Sequence, residues 1–128
     1  MPINQTRWPV RSTNNMVISV AGRFTGGGSA ANCTRVAGGR GITSVNYDAA
    51  TGVYLITFDG VGETFLGAMF SVRTAGGAAS KVVNYGTYTP ASRTLGIFVA
   101  TASTPVAVDL ALTEELTIHA SFADTTVP

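Results

Sequence analysis

The sequence predicts an all-β fold, an antiparallel β-sandwich or jelly-roll-like module of seven or eight short strands. Short runs rich in β-branched and aromatic residues recur along the 128 residues, and Gly, Pro, Asn and Asp separate them. No segment keeps the 3.6-residue period of an amphipathic helix for long. The length suits one domain, and a domain of this size can bury a stable core without disulfides.

The first predicted element is an extended N-terminal arm over residues 1–15. Two prolines and an Asn-Asn pair oppose regular structure there, and no hydrophobic period is visible. The arm contains Arg7, Trp8 and Arg11, and Trp and Arg are among the residue types most enriched at binding hot spots. These three residues are predicted to dock on a neighbouring protein. The alternative is that Trp8 folds back and covers one end of its own sheet.

The remaining residues, 16–128, are predicted to form a single β-sandwich domain. Strands are predicted at residues 16–24, 33–36, 42–47, 53–58, 66–73, 81–88, 94–101 and 115–122. The clearest pair is the hairpin of residues 42–58, in which Asp48 begins the turn and Gly52 supplies a positive φ near its end. In the last strand, apolar residues alternate with polar ones, which indicates one buried and one exposed face.

Two predicted strands are apolar on nearly both faces. They are residues 53–58 (VYLITF) and 95–99 (LGIFV). A strand of this kind is covered on both sides, and because no helix is predicted, another subunit is the expected cover for the outer side. Tyr54, Ile56 and Phe58 are therefore predicted to bind a partner, and the chain is expected to associate with further copies of itself.

Charge is sparse and unevenly distributed. Charged residues make up 12% of the chain, against about 25% in an average soluble domain, and a surface with little charge is typical of one that partners cover. Residues 1–47 hold five arginines and no acid, whereas residues 94–128 hold four acids and no Lys or Arg. Either this separation is chance or oppositely charged ends of neighbouring subunits meet. The net charge of +1 argues against nucleic acid as a partner.

The residues needed for catalysis or metal binding are largely missing from the sequence. His119 is the single histidine and Cys33 the single cysteine, so neither a Ser-His-Asp triad nor a zinc site is indicated. The glycine clusters at residues 26–28 and 38–41 do not match phosphate-binding motifs. The sequence therefore predicts a protein that is not an enzyme and that binds neither a cofactor nor a metal. Cys33 is expected to be a small buried hydrophobe.

Nothing in the sequence predicts export or insertion into a membrane. The first seven residues contain no apolar signal-peptide core, and no apolar run approaches the roughly 20 residues that span a bilayer. We therefore expect synthesis in a cytoplasm and no membrane partner.

The hairpin segment ITSVNYDAATGVYLITF, residues 42–58, resembles a hairpin that recurs in small phage virion proteins. The last strand, LTIHASF at residues 116–122, follows an acidic loop and looks like the closing strand of those proteins. With the size, the Gly/Thr/Ala-rich composition and the N-terminal arm, these segments are similar to capsid decoration (cement) proteins of tailed phages. The resemblance implies a homotrimeric, jelly-roll-like module, made in the host cytoplasm, that binds the outer capsid surface between major capsid subunits and stabilises the shell.

The same resemblance leaves a second function open, because such hairpins also occur in tail-fibre and other virion domains. A tail-fibre, spike or other receptor-binding domain would bind carbohydrate. Asn84, Tyr85 and Tyr88 are the residues expected to contact the sugar in that case. A free carbohydrate-binding module is a third alternative.

Overall fold

The computed structural model describes residues 16–38, 40–59, 64–74 and 81–124, and within these ranges the chain forms eight β-strands and no helix. The strands are β1 (Met16–Thr25), β2 (Thr34–Gly38), β3 (Ile42–Tyr47), β4 (Val53–Phe58), β5 (Thr64–Arg73), β6 (Lys81–Thr89), β7 (Thr94–Thr101) and β8 (Glu115–Asp124). The predicted arm, with Arg7, Trp8 and Arg11, lies outside the described residues.

The strands form two four-stranded sheets that pack face to face. Sheet A has the order β2-β1-β8-β5 and sheet B the order β3-β4-β7-β6, and every neighbouring pair is antiparallel. The predicted all-β sandwich is thereby confirmed. A jelly-roll connection is not confirmed, because three pairs of consecutive strands, β1–β2, β3–β4 and β6–β7, stay within one sheet.

The core lies between the sheets and follows the alternation of side chains along the inner strands. In β8, Leu116, Ile118 and Phe122 are fully buried, whereas His119 between them is exposed, as the alternating pattern predicts. The largest fully buried side chains are Tyr54, Phe24, Phe58, Phe122, Ile42, Ile56, Leu95, Ile97, Leu110, Leu116, Ile118 and Val45. Most of them come from the inner faces of the two sheets, and burial of each contributes about 1.5–3 kcal/mol to folding.

The inner ladders are regular and the edge ladders are not. β1 pairs with β8 along the full length of both strands, and β4 pairs with β7, without a register shift. Each ladder that involves an edge strand contains a shift of the kind that a β-bulge produces. The shifts lie at Arg23/Phe24, Ile42/Ser44, Phe65/Gly67 and Tyr85/Tyr88. Bulges at edges oppose pairing with the edge of another sheet.

Hydrogen bonds hold the long segment between β7 and β8 against the turn of the β3–β4 hairpin. The Asp109 carboxylate accepts the N–H of Gly52 at 2.7 Å and the N–H of Ala30 at 3.0 Å. Gly52 has a φ of +76°, and a Cβ there would lie 2.5 Å from the Val99 carbonyl oxygen. Only glycine fits this turn, and the predicted positive φ at Gly52 is confirmed.

A buried ion pair anchors the end of the same segment. Lys81, at the start of β6, donates to the Glu114 carboxylate and, at 2.9 Å, to the backbone oxygen of Asp109. Glu114 also accepts the Ala111 N–H at 2.7 Å. The side chains of Lys81 and Glu114 are only 10% and 7% exposed. Both charges are therefore shielded from water, and each needs the other as its counter-ion.

We expect Glu114→Gln to lower the free energy of unfolding by about 3 kcal/mol, because it leaves the Lys81 ammonium buried without its counter-ion. Urea titrations followed by circular dichroism measure this loss. The matched control is Asp59→Asn, which removes the carboxylate of an exposed pair with Arg93 at 4.0 Å and should cost less than about 1 kcal/mol. Equal losses in the two variants would contradict a special role for the buried pair.

Candidate interaction surfaces

The outer face of sheet B, on the side away from the core, carries an apolar strip. We call this surface the outer B face. Its residues are Ser44, Asn46, Val53, Leu55, Thr57, Val82, Asn84, Gly86, Thr94, Gly96, Phe98 and Ala100. None of them is charged. Phe98 is 48% exposed on the inner strand β7, and Val82 is 43% exposed on the edge strand β6.

The partner-binding residues predicted in β4 lie on the opposite side of that strand. Tyr54, Ile56 and Phe58 are completely or almost completely buried in the core, so they are not available to a partner and the prediction is corrected. The Tyr54 hydroxyl accepts the Leu110 N–H at 2.8 Å, and the Phe58 ring packs edge-on against Phe122. The strand does have an apolar outer side, but other residues form it.

The outer side of β4 and β7 is identified by polar residues that the sequence already contains. Thr57 shares a face with Val53 and Leu55, and Thr94 shares a face with Phe98. Threonine is mostly exposed in folded proteins, so the row that holds it is the one expected to face away from the core. This signal could have identified Val53, Leu55 and Phe98, which the sequence prediction missed.

Phe98, Gly86 and Gly96 determine the local shape of the outer B face. The Phe98 ring lies over Gly86 of β6, where an added Cβ would lie 3.2 Å from the ring. Gly96 is two residues before Phe98 on the same side of β7, and an added Cβ there would meet no atom within 4 Å. The cross-strand neighbour of Gly96 is Leu55. The Phe98 ring therefore lies against β6, and the space above Gly96 beside it is open.

The outer face of sheet A has a different character, because it carries charge. Glu115 lies between Arg23 and Arg73, at 3.3 Å and 3.2 Å, on three adjacent strands. His119 is exposed on this face, and its cross-strand neighbour Met69 is 73% exposed. The arginines near the N-terminus and the acids near the C-terminus are thus partly paired within one chain, because β1 and β8 are neighbours and Arg23 contacts Glu115.

A second candidate site is an open groove between β5 and β6, which are edge strands of the two sheets. The groove has a volume of about 530 Å³ and is lined by Ala68, Met69, Phe70, Val83, Asn84 and Tyr85. Tyr85 is 44% exposed, and its ring centroid lies 5.4 Å from that of Phe65 and 6.1 Å from that of Phe70. An exposed aromatic ring held in this way beside an amide suits a small polar ring such as a sugar.

Of the three residues expected to contact a sugar, the groove contains Asn84 and Tyr85 but not Tyr88. Tyr88 is half-buried, and its ring stacks on Phe65 with 5.5 Å between centroids. It also packs edge-on against Phe58 and Phe122. Tyr88 therefore belongs to the aromatic cluster that closes this edge of the core.

Among the residues that the structure describes, burial perturbs two titratable side chains, Cys33 and Tyr54. Burial raises the pKa of Cys33 from its ordinary value of 9.0 to about 11, although a backbone hydrogen bond with Gly27 opposes the shift. Burial also raises the pKa of Tyr54 from 10.0 to about 12, and the hydrogen bond with the Leu110 backbone opposes that shift. Cys33 is half-buried against the core, and as a neutral thiol it is a poor nucleophile at neutral pH.

In the part of the chain that the structure describes, no group of three or more His, Cys, Asp or Glu side chains is placed to hold a metal ion. The same residues include no helix of the length and apolar character that crossing a bilayer requires. The chain matches no protein-family model, no curated protein and no solved structure.

We expect the free energy of unfolding to be constant from pH 7 to pH 8.5 and to fall between about pH 9 and pH 12. Both raised pKa values mean that the folded state holds a proton more tightly than the unfolded chain does. That contribution is complete below the unfolded pKa and is lost as the pH rises through the folded pKa. Urea titrations at each pH measure the decline, and Cys33→Ala should remove the part between pH 9 and pH 11. An equally steep decline in that variant would contradict the assignment to Cys33.

Proposed function

We propose that this chain is a structural protein that associates with other protein subunits and acts as a decoration protein on the outer surface of a phage capsid. The observation that carries the proposal is the outer B face, an apolar strip centred on Phe98 on the side of a sheet that holds no charged residue. Protein normally covers a sheet side of this kind. The virion assignment rests on the resemblance of residues 42–58 and 116–122 to capsid decoration proteins.

A decoration protein stabilises a shell by adding contact area between capsid subunits, and this task needs binding surfaces rather than reactive groups. In the proposed arrangement the sandwich associates with copies of itself, while Arg7, Trp8 and Arg11 of the arm bind the major capsid protein. The regular inner ladders and the aromatic core of the sandwich would give such a clamp rigidity. The resemblance implies a threefold assembly, and a measurement of the mass of the purified protein in solution tests whether it is a trimer.

We expect deletion of residues 1–15 to abolish binding to capsid shells, because the deletion removes Trp8 and the two arginines near it. Co-sedimentation of the purified protein with shells prepared without it measures the binding. The circular dichroism of the truncated protein should still show the β-sheet signal of the full chain, since β1 begins after the deleted residues.

The matched control for the deletion is Arg93→Ala, which removes an exposed arginine outside the arm and should leave binding unchanged. Normal co-sedimentation of the truncated protein would refute the role of the arm. Failure of the full chain to bind shells would refute the decoration function itself. Many copies per particle are expected for a capsid position, and only a few for a position in the tail.

A receptor-binding function is the second candidate, and the groove between β5 and β6 favours it. The groove has the size of a site for one or two sugar rings, and Tyr85 presents a half-exposed aromatic ring there. Phe65 and Phe70 hold that ring from the side of β5, so a sugar that stacks on it would not have to order a mobile side chain.

If the groove binds carbohydrate, Tyr85→Ala should weaken the affinity roughly tenfold, equivalent to about 1.4 kcal/mol, because it removes the stacking surface. A glycan array would identify the ligand and an NMR titration would measure the affinity. Leu112→Ala is the control, since Leu112 is an exposed apolar residue in the segment between β7 and β8 and does not line the groove. Absence of any glycan binding by the unaltered protein would eliminate this function.

A further inference from the structure

We propose that, in the free subunit, residues 7–12 of the arm fold back and pair as an antiparallel strand with the first half of β1. In this pairing Trp8 lies on the core side of sheet A, and it has to leave the sheet before it can dock on a capsid. The inference rests on the proposed function only in that last consequence. It names the segment that occupies a bare sheet edge and the contact that restrains a docking residue.

The first half of β1 is a bare edge among the residues that the structure describes. β2 pairs only with residues 22–25 of β1, whereas β8 pairs with β1 along its full length. Residues 16–21 therefore have a described ladder partner on one side only. Their ladder with β8 contains no register shift, unlike the ladders of the edge strands β2, β3, β5 and β6. A regular bare edge is a template for a further strand, and native proteins cover such edges.

The side chains along this edge define an inner and an outer side. Val20 is 7% exposed, and Ile18 is half-buried against the core. Val17 is 66% exposed on the outer side, where Ser19 and Ala21 are exposed as well. Cross-strand neighbours share one side of a sheet. A strand that pairs here therefore needs apolar residues beside Ile18 and Val20 and tolerates charged residues on the other side.

The length of the arm fits the bare edge. Residues 13–15 (TNN) directly precede β1. A three-residue hairpin loop commonly ends in a residue with left-handed backbone, which Asn adopts more readily than most residues. With this loop, residues 12 to 7 lie opposite residues 16 to 21 in turn. The pairing ends where β2 begins, because the next residue of β1, Gly22, is already paired with Gly38.

The sequence of the arm also alternates in step with the two sides of the edge. In this register Trp8 and Val10 face the core beside Val20 and Ile18, and the two arginines of the segment face water on the outer side of sheet A. A two-residue loop would reverse the pattern and turn both arginines towards the core, where an unpaired charge is costly. The three-residue loop is therefore the one that the side chains favour.

Pro9 fits the same register. Antiparallel pairs alternate between hydrogen-bonded and non-hydrogen-bonded ones. Counted from the loop, at which Ser12 and Met16 form the hydrogen-bonded closing pair, Pro9 and Ser19 form a non-hydrogen-bonded pair. The backbone nitrogen of such a residue points away from the partner strand, so the N–H that proline lacks is not missed in the ladder. Proline on the outermost strand also opposes the addition of a further strand.

The pairing restrains the docking of the arm. A Trp8 side chain that packs on its own sheet is not available to a capsid protein at the same time. The apparent affinity for a shell is then reduced in proportion to the fraction of subunits in which the arm is free. A subunit thus keeps an aromatic docking residue covered until it meets a shell that binds the arm more tightly than β1 does.

Cysteine cross-linking of the full chain tests the pairing, in a Cys33→Ala background. Arg11→Cys combined with Val17→Cys places two thiols at a non-hydrogen-bonded pair, with about 4.5 Å between the Cα atoms, a distance that a disulfide spans. Mild oxidation is expected to give an internal disulfide in a monomeric chain, which mass spectrometry and non-reducing electrophoresis detect. The matched control is Ser12→Cys with Val17→Cys. Its side chains lie on opposite sides of the sheet, and it should cross-link at least about tenfold more slowly.

Trp8 is the single tryptophan of the chain, so its fluorescence reports on the same contact. We expect emission at shorter wavelength and weaker quenching by acrylamide than in a peptide of residues 1–15. Four results would overturn the pairing: covalent dimers, equal cross-linking of the two cysteine pairs, absence of the disulfide, or a tryptophan that is quenched as readily as in the peptide.

The restraint on docking is tested with the cross-linked protein itself. The oxidised Arg11→Cys/Val17→Cys protein should bind shells about tenfold more weakly than the same protein after reduction, and equal binding would refute the restraint. Cross-linking is measured without shells, so it is independent of the decoration function. A chain that cross-links as expected and does not bind shells in either redox state refutes the decoration role alone, and a chain that binds shells without cross-linking refutes the pairing alone.

Discussion

Strand β8 is the element on which both sheets depend. It pairs with β1 on one side and with β5 on the other, so sheet A is held together through it. Two adjacent glutamates at its start point in opposite directions: Glu115 contacts Arg23 and Arg73 on the outer side of sheet A, and Glu114 pairs with Lys81 of sheet B. Because β8 comes last among the described strands, these contacts join distant parts of the chain, and such long-range pairing is associated with slow folding.

The two sheets share one core but present different surfaces. The outer side of sheet A holds an arginine–glutamate–arginine row and an exposed histidine, and charged or polar groups of this kind are costly to remove from water. The outer side of sheet B holds Val53, Leu55 and Phe98 between hydroxyl and amide side chains. In the proposed assembly, this asymmetry would orient the module, with sheet B towards protein and sheet A towards solvent.

The positions of the strands were predictable from the sequence. The side of a strand that faces the core was harder to predict, and in β4 it was predicted wrongly. Every predicted strand agrees with an observed one to within two residues at each end, because Gly, Pro, Asn and Asp separate the strands. In β4, two apolar rows are offset by one residue. Thr57 marks the outer row, and the inner row can hold Tyr54 because its buried hydroxyl accepts the N–H of Leu110, which is distant in sequence. The order of the strands in each sheet depends on similar long-range contacts, which no local pattern contains.

The irregular edges also bear on how large an assembly of this protein can grow. A sandwich with straight, free edges can add copies without end and form an open fibre. Here each edge ladder is shifted, which opposes the addition of copies at the edges. Growth through paired edges would then be limited by the geometry of the edges rather than by the amount of protein present. In this chain only 12% of the residues are charged. The irregular shape of its sheet edges would therefore limit aggregation, a role that charge repulsion has in other proteins.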